Sequence, residues 1–225
     1  MTMTALPLAA ALLLAQPAAP PPRTLHVSGE GRVFAAPDVA RVTVGVDVEH
    51  ASLARATADA AARMKGVLAA LQKAGVASKD VRTVRYHVEV RRKLEKLSGT
   101  SEPSGYRVTN QAQVTVRDLG KVGSILDQVV AAGANEVEGL WFAKEDTSQE
   151  LARALESAVR DARGKAEVLA KAAGATLGEV VQLTEGGRGP VPVHGVMALR
   201  TASEVPVAEG QLEIDASVEV TFGLR

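Results

Sequence analysis

The chain has 225 residues, enough for one large domain or two small ones, and its 26 Lys and Arg against 26 Asp and Glu leave it formally uncharged. That balance argues against broad electrostatic binding to nucleic acid or anionic lipid, because counterion release needs an excess of positive charge. There is no cysteine, which excludes disulfides, thiolate nucleophiles, iron–sulfur clusters and cysteine zinc sites. Aromatics are only 3% of residues (Phe34, Tyr86, Tyr106, Trp141, Phe142, Phe222), a short list from which to build stacking platforms for bases or sugars.

Residues 1–22 carry no charged side chain, and 5–15 form an apolar run broken only by Pro7. This suits a signal-peptide core and falls short of the roughly 20 residues a membrane span needs. Its only positive charge is the α-amino group, and cleavage after Ala15 or Ala18 gives no clean small-x-small match. The Pro-rich stretch 16–22 then reads as an extended linker. A disordered cytosolic tail is the alternative; export is the better reading. No cysteine adjoins the cleavage sites, so no lipid anchor is expected. No later apolar run is long enough for a transmembrane span, so the mature chain is expected to be soluble.

Residues 25–34 alternate loosely, and Ala36-Pro37-Asp38 ends the pattern. Val42, Val44, Val46 and Val48 then face one way with Thr43, Asp47 and Glu49 opposed, a half-buried strand. Ser52 sits at an N-cap position before a helix with the stripe Leu53, Thr57, Ala60, Met64, Val67, Leu68 and Leu71, stopped at Gly75. The next strand places Val84, Tyr86, Val88 and Val90 inward and Arg85, His87, Glu89 and Arg91 outward. A polar loop at 98–104 returns the chain into a long partner strand, with Tyr106, Val108, Ala112, Val114 and Val116 inward. Asp118 is a candidate cap for a second helix with the stripe Val122, Ile125, Leu126 and Val129, ended by Gly133; 136–144 forms another strand.

A third helix starts at Thr147 or Ser148, with the stripe Leu151, Leu155, Ala158, Ala162, Ala166, Leu169 and Ala173, and stops at Gly174. Its outer face carries Glu156/Arg160, Asp161/Lys165 and Glu167/Lys171 in the favourable acid-first order. Strands at 179–184 and 211–222 close the chain around the Gly/Pro-rich segment 185–209. In the last of them Leu212, Ile214, Ala216, Val218, Val220 and Phe222 face inward.

The predicted fold class is α+β: a mostly antiparallel sheet containing a βαββαβ, ferredoxin-like unit from about Val39 to Lys144, with helices on one face. The first and last strands are expected to join the same sheet or an adjoining one. No natural cut point is visible, so 23–225 reads as one domain, with two subdomains as the alternative.

Chemistry is hard to find. His26, His50, His87 and His194 form no ligand pair and read as exposed residues without partners. No nucleophile motif is present. Ser28-Gly29-Glu30-Gly31 lacks the third glycine and following helix of a dinucleotide fingerprint and reads as a strand bulge, while Gly186-Gly187-Arg188-Gly189-Pro190 reads as a flexible loop. Arg91-Arg92-Lys93 with Lys96 is interleaved with Glu89, Glu95 and Glu102 and reads as a solvated edge guarded against aggregation. Glu213 and Asp215 are what any solvated strand face presents. Asn110 falls in phase with inward positions and is expected to bridge backbone groups at a bulge or helix end. No catalytic, cofactor-binding or metal-ligating residue is assigned, and the chain is not expected to be an enzyme.

Several of these pieces together resemble the SIMPL-domain family: Val27-Ser28-Gly29-Glu30-Gly31, Pro37-Asp38-Val39-Ala40, Gly105-Tyr106-Arg107-Val108-Thr109-Asn110, Gly133-Ala134-Asn135, and Asp161-Ala162, Lys165-Ala166, Leu169-Ala170 and Leu177-Gly178. They span nearly the whole mature chain in order. Family members usually have more aromatic character in the strand before the loop, where this chain has only Tyr86. The resemblance implies an α+β envelope protein, periplasmic or outer-membrane-associated, without an assigned catalytic residue. It points to bacterial members that are exported immunogenic proteins or linked to oxidative-stress defence, to members forming ring- or channel-like homo-oligomers, and to eukaryotic signalling adaptors. It also implies that Gly105, Tyr106, Asn110 and the 133–135 turn are structural signatures.

The leading expectation is therefore a non-enzymatic exported protein acting by self-association or by docking an envelope partner. The alternative is a module that binds a small molecule or stress ligand in a pocket between helices and sheet, Asn110 among its polar groups.

Overall fold

The computed structural model of the chain describes residues 23–94, 101–186 and 210–225. The proposed signal segment, the tip of the 98–104 loop, most of the 185–209 segment and His194 lie outside them. Among the described residues, seven strands and three α-helices form an α+β fold with two antiparallel sheets.

The first sheet is the ferredoxin-like unit. Strands β2 (Val39–His50), β3 (Val81–Leu94), β4 (Ser101–Val116) and β5 (Glu136–Ala143) lie in the order β3-β4-β2-β5, with α1 (Leu53–Lys73) and α2 (Val122–Ala131) between them in sequence. Val42, Val44, Val46 and Val48 meet Ala56, Ala60, Met64, Val67 and Leu71 of α1 and Val122, Ile125 and Val129 of α2 in one core. Leu53 and Leu68, expected in the α1 stripe, stand on its flank and are exposed. Ser52 is the N-cap of α1, but its hydroxyl makes no capping bond; instead its N–H donates to His50 Nδ1 (2.9 Å). The helices end where positive-φ glycines follow, at Gly75, Gly133 and Gly174.

The terminal strands form the second, adjoining sheet. β1 (Thr24–Ala35), β6 (Leu177–Gly186) and β7 (Leu212–Leu224) are ordered β1-β7-β6. The inward row of β7 is buried as expected, from Leu212 to Phe222. Over this sheet lies α3 (Ser148–Ala172), and here two expectations change. The buried stripe is Ala154, Ala158, Ala162, Ala166 and Ala170, an unbroken i,i+4 row of small residues; Leu169 and Ala173 are exposed. The register of β1 on β7 runs unshifted from Thr24 to Ala35, so Gly29 and Gly31 make no bulge. They let a helix backbone approach. A Cβ on Gly29 would sit 2.7 Å from the Ala162 Cβ and inside the Ala158 carbonyl oxygen, and one on Gly31 would enter the Ala154 carbonyl oxygen.

The acid–base pairs of α3 also divide. Glu156 and Arg160 stand 4.0 Å apart on the surface, and Glu167 pairs backwards with Arg163 at 3.3 Å. Asp161 and Lys165 do something else. The Asp161 carboxylate accepts the Glu30 N–H (2.9 Å) and pairs with Lys165 (2.6 Å), whose ammonium reaches the Ser28 carbonyl at 3.3 Å. These are free-edge groups of β1, so the helix side chains take the place of a neighbouring strand. Lys165 and the Glu30 amide hold Asp161 below the usual carboxylate range.

Two crossings join the sheets, and charges tie them. Asp38 accepts the Glu145 N–H (2.8 Å) and lies 3.7 Å from Lys144, which is 3.8 Å from Glu150 of α3. Arg117, just beyond β4, donates to Asp80 (2.8 and 3.0 Å) and also to Glu145. Its hydrogen bonds hold both carboxyls below their ordinary range. Carboxylates with lowered folded pKa values stabilise the fold above the ordinary carboxylate range, near pH 4, and lose that contribution as pH falls through the lowered values. Arg117→Met is therefore expected to lower the melting temperature most at pH 6–7, with the gap to the parent narrowing as pH drops below about 4. Thermal melts by circular dichroism from pH 7 to 2.5 check this; a gap constant with pH would contradict it.

Candidate interaction surface

The helices of the first sheet sit over β2 and β4 and leave its outer strand uncovered. Tyr86, Val88 and Val90 of β3 stand opposite Asn110, Val108 and Tyr106 of β4, and hence on the helix side, as expected from their alternation. They are nevertheless exposed by 56%, 40% and 44%, because α1 and α2 stop short of them. Val84 is exposed too, at a register shift between Thr83 and Arg85. Alternation correctly gives the face, but burial also requires a helix above it.

Asn110 lies at the border of this patch, in the row Val46–Asn110–Tyr86. It does not bridge backbone groups as expected: its side-chain oxygen is buried without a hydrogen-bond partner. The bridging is done by Asn135, whose carbamoyl group accepts the Asp47 N–H (2.7 Å) and donates to the Asp47 carbonyl (2.8 Å), prolonging the edge of β2 past the end of β5. An unmet buried acceptor costs about 1–3 kcal/mol. Asn110→Val is thus expected to stabilise the isolated chain by about 1 kcal/mol, read from urea unfolding; a loss of stability would show that the amide has a partner.

The remaining polar candidates have structural work. His26 hydrogen-bonds Thr221 (3.0 Å) and lies 4.0 Å from Glu219, and His50 receives the Ser52 amide, so neither is partnerless as expected. His87 is exposed on β3. Among the described residues these histidines form no cluster suited to a metal. Glu213 and Asp215 both pair with Arg32 across the β1–β7 ladder. Arg91 lies 3.5 Å from Glu49, and Arg107 binds Asp47 at 2.9 Å. Asp146, which the sequence reading passed over, accepts the Ser148 amide and hydroxyl at the start of α3 and is held below its ordinary range by them.

Open clefts flank the seam between α3 and β1. One of about 580 Å³ is polar, lined by Glu30, Arg32, Asp161, Lys165 and Asp215, and one of about 660 Å³ is lined by Val27, Val168 and Leu169. Asn110 lines neither. No described helix is long and apolar enough to cross a membrane.

The family described as "SIMPL: Protein of unknown function (DUF541)" matches residues 25–222. The chain is 33% identical over 216 residues to the 26 kDa periplasmic immunogenic protein of Brucella melitensis, covering 91% of this chain and 86% of that one. It is 30% identical over 218 residues to the uncharacterized protein YggE of Edwardsiella ictaluri, covering 92% and 90%. The Escherichia coli K12 protein of that name is 28% identical over 205 residues, covering 88% and 82%. With a family match across both sheets and relatives aligned over most of their length, the chain belongs to the SIMPL family.

Proposed function

We propose that the protein is an exported, non-enzymatic component of the cell envelope that acts by self-association, with envelope or oxidative-stress defence as its setting. The observation that carries this is the uncovered strand β3: Tyr86, Val88 and Val90 form an exposed apolar row on a sheet edge, where unpaired backbone groups invite a further strand. Export is supported by the uncharged, apolar segment at 1–22 and by the name of the Brucella relatives as periplasmic proteins.

Light scattering of residues 23–225 tests the assembly. Multimers are expected, and Tyr86→Ser with Val88→Thr should return them to the monomer without loss of the folded circular dichroism spectrum. A parent chain that stays monomeric at high concentration would overturn the proposal. Export is tested separately by fusing residues 1–25 to a reporter active only outside the cytoplasm.

A further inference from the structure

The outer face of the first sheet, turned away from α1 and α2, divides into two halves. One half is knitted together: Asp47 accepts from Arg107 and Thr109, Gln111 donates to Glu136, and Arg107 and Arg91 stand 3.4 and 3.5 Å from Glu49. The other half is not. Its two neighbouring rungs, taken across β4, β2 and β5, are Thr115–Arg41–Trp141 and Gln113–Thr43–Glu138. Among the described residues, the side chains of Arg41, Thr43, Thr115, Glu138 and Trp141 have no hydrogen-bond or ion-pair partner, and Gln113 only accepts, from Arg82. All but Glu138 are half-buried, yet none of their open polar atoms is sealed from water.

A bulge assembles this half. Glu138 faces Thr43 and Trp141 faces Arg41, so a step of two residues on β2 is matched by three on β5. Without the extra residue Glu138 and Trp141 would lie on opposite faces, because strand alternation separates residues three apart. Gly139 takes a φ of +54° there, and a Cβ on it would come within 3.2 Å of the six-membered ring of Trp141. The chain's one tryptophan is thus seated over a residue with no side chain, among open donors and acceptors.

We propose that this half-face is a carbohydrate site that takes an acidic pyranose, a sugar ring bearing a carboxylate, within a glycan strand. Each part of such a ligand has a counterpart here. The apolar face of the sugar ring packs on the indole, whose N–H stays available as a donor. The ring hydroxyls pair with Thr43, Thr115, Glu138 and the Gln113 amide, as the few placed polar groups of a ligand site do. The carboxylate pairs with Arg41, whose planar fork offers two parallel hydrogen bonds. Charge selects an acidic sugar over a neutral one: Arg41 has no carboxylate partner among the described residues, and Arg82, the next cation on the lower rung, stands with it against Glu138 alone. The site lies on the opposite face from Tyr86, Val88 and Val90 and does not depend on self-association.

Because Trp141 is the only tryptophan, its fluorescence reports on this site alone. The mature chain is titrated with a hyaluronan tetrasaccharide, which carries uronic acids, with the disaccharide of N-acetylglucosamine and N-acetylmuramic acid, and with neutral chitotetraose. A saturable change is expected with at least one acidic sugar, which also identifies the source of the carboxylate, and binding of chitotetraose is expected to be at least about tenfold weaker, the worth of one charge-assisted hydrogen bond. Arg41→Gln should weaken the acidic sugar by a similar factor, and Thr115→Val by about fivefold, one neutral hydrogen bond. Arg107→Gln, in the knitted half, should leave binding unchanged; circular dichroism confirms that each variant is folded. No saturable change with either acidic sugar would overturn the site. Equal affinity for chitotetraose, or binding indifferent to both Arg41→Gln and Thr115→Val, would overturn the assignment of an acidic pyranose to these rungs.

Discussion

Replacing Gly31 with valine is expected to destabilise the protein by at least about 3 kcal/mol, the upper end of what overpacking ordinarily costs. That corresponds to roughly 10 °C in melting temperature for a chain of this size. The reason is what the new side chain meets. A Cβ at Gly31 enters the Ala154 carbonyl oxygen and comes within 2.6 Å of the Ala158 amide nitrogen, and both belong to helix backbone that cannot swing aside as a side-chain tip would. The alanine row of α3 sits on β1 because both surfaces lack bulk, so lifting the helix also exposes Val27, Val218, Val220 and Phe222. Gly164→Ala is the matched control. It lies in the same helix, a Cβ there meets nothing within 4 Å, and alanine should stabilise by about 1 kcal/mol through helix propensity. Thermal melts of the two variants decide the matter; Gly31→Val melting with the parent would remove the seam from the account.

The second large effect belongs to the other core. Leu71 is 1% exposed and packs at the end of α1 into the cluster that holds the β2 valines and Val67. Leu71→Ala is expected to cost about 3 kcal/mol, within the range for buried leucines whose surroundings only partly relax. The buried clusters of the two sheets share no residue, so the losses should differ in place. Amide exchange should quicken in α1, β2 and β4 for Leu71→Ala and in α3, β1 and β7 for Gly31→Val. Uniform quickening across the chain in both variants would show one cooperative core instead of two.

Much of this fold is legible in local patterns. The valines of β2, the alternating row of β7 and the glycines after each helix appear where period and backbone freedom place them, because each depends only on near neighbours in sequence. What could not be read depends on distant partners. Gly29 and Gly31 resemble a bulge until α3 is placed over them. Asp161 and Lys165 resemble a surface pair until β1 lies beneath. Tyr86, Val88 and Val90 have the alternation of buried residues, and only the width of the helix layer shows that they are not. The bridging role expected of Asn110 falls to Asn135 for the same reason: which amide bridges backbone depends on which strand end it meets. The candidate surface was therefore hidden inside a correct strand assignment, as a row on the right face with nothing above it.

That row is where the functional account stands or falls. Hydrogen exchange over Val81–Val90, followed at low and high protein concentration, tests it most directly. If β3 is the edge through which copies associate, its amides pointing away from β4 should exchange fast in dilute solution and slow markedly as multimers form. Exchange at those amides that stays fast and independent of concentration would contradict it, whatever the size of the particles in solution.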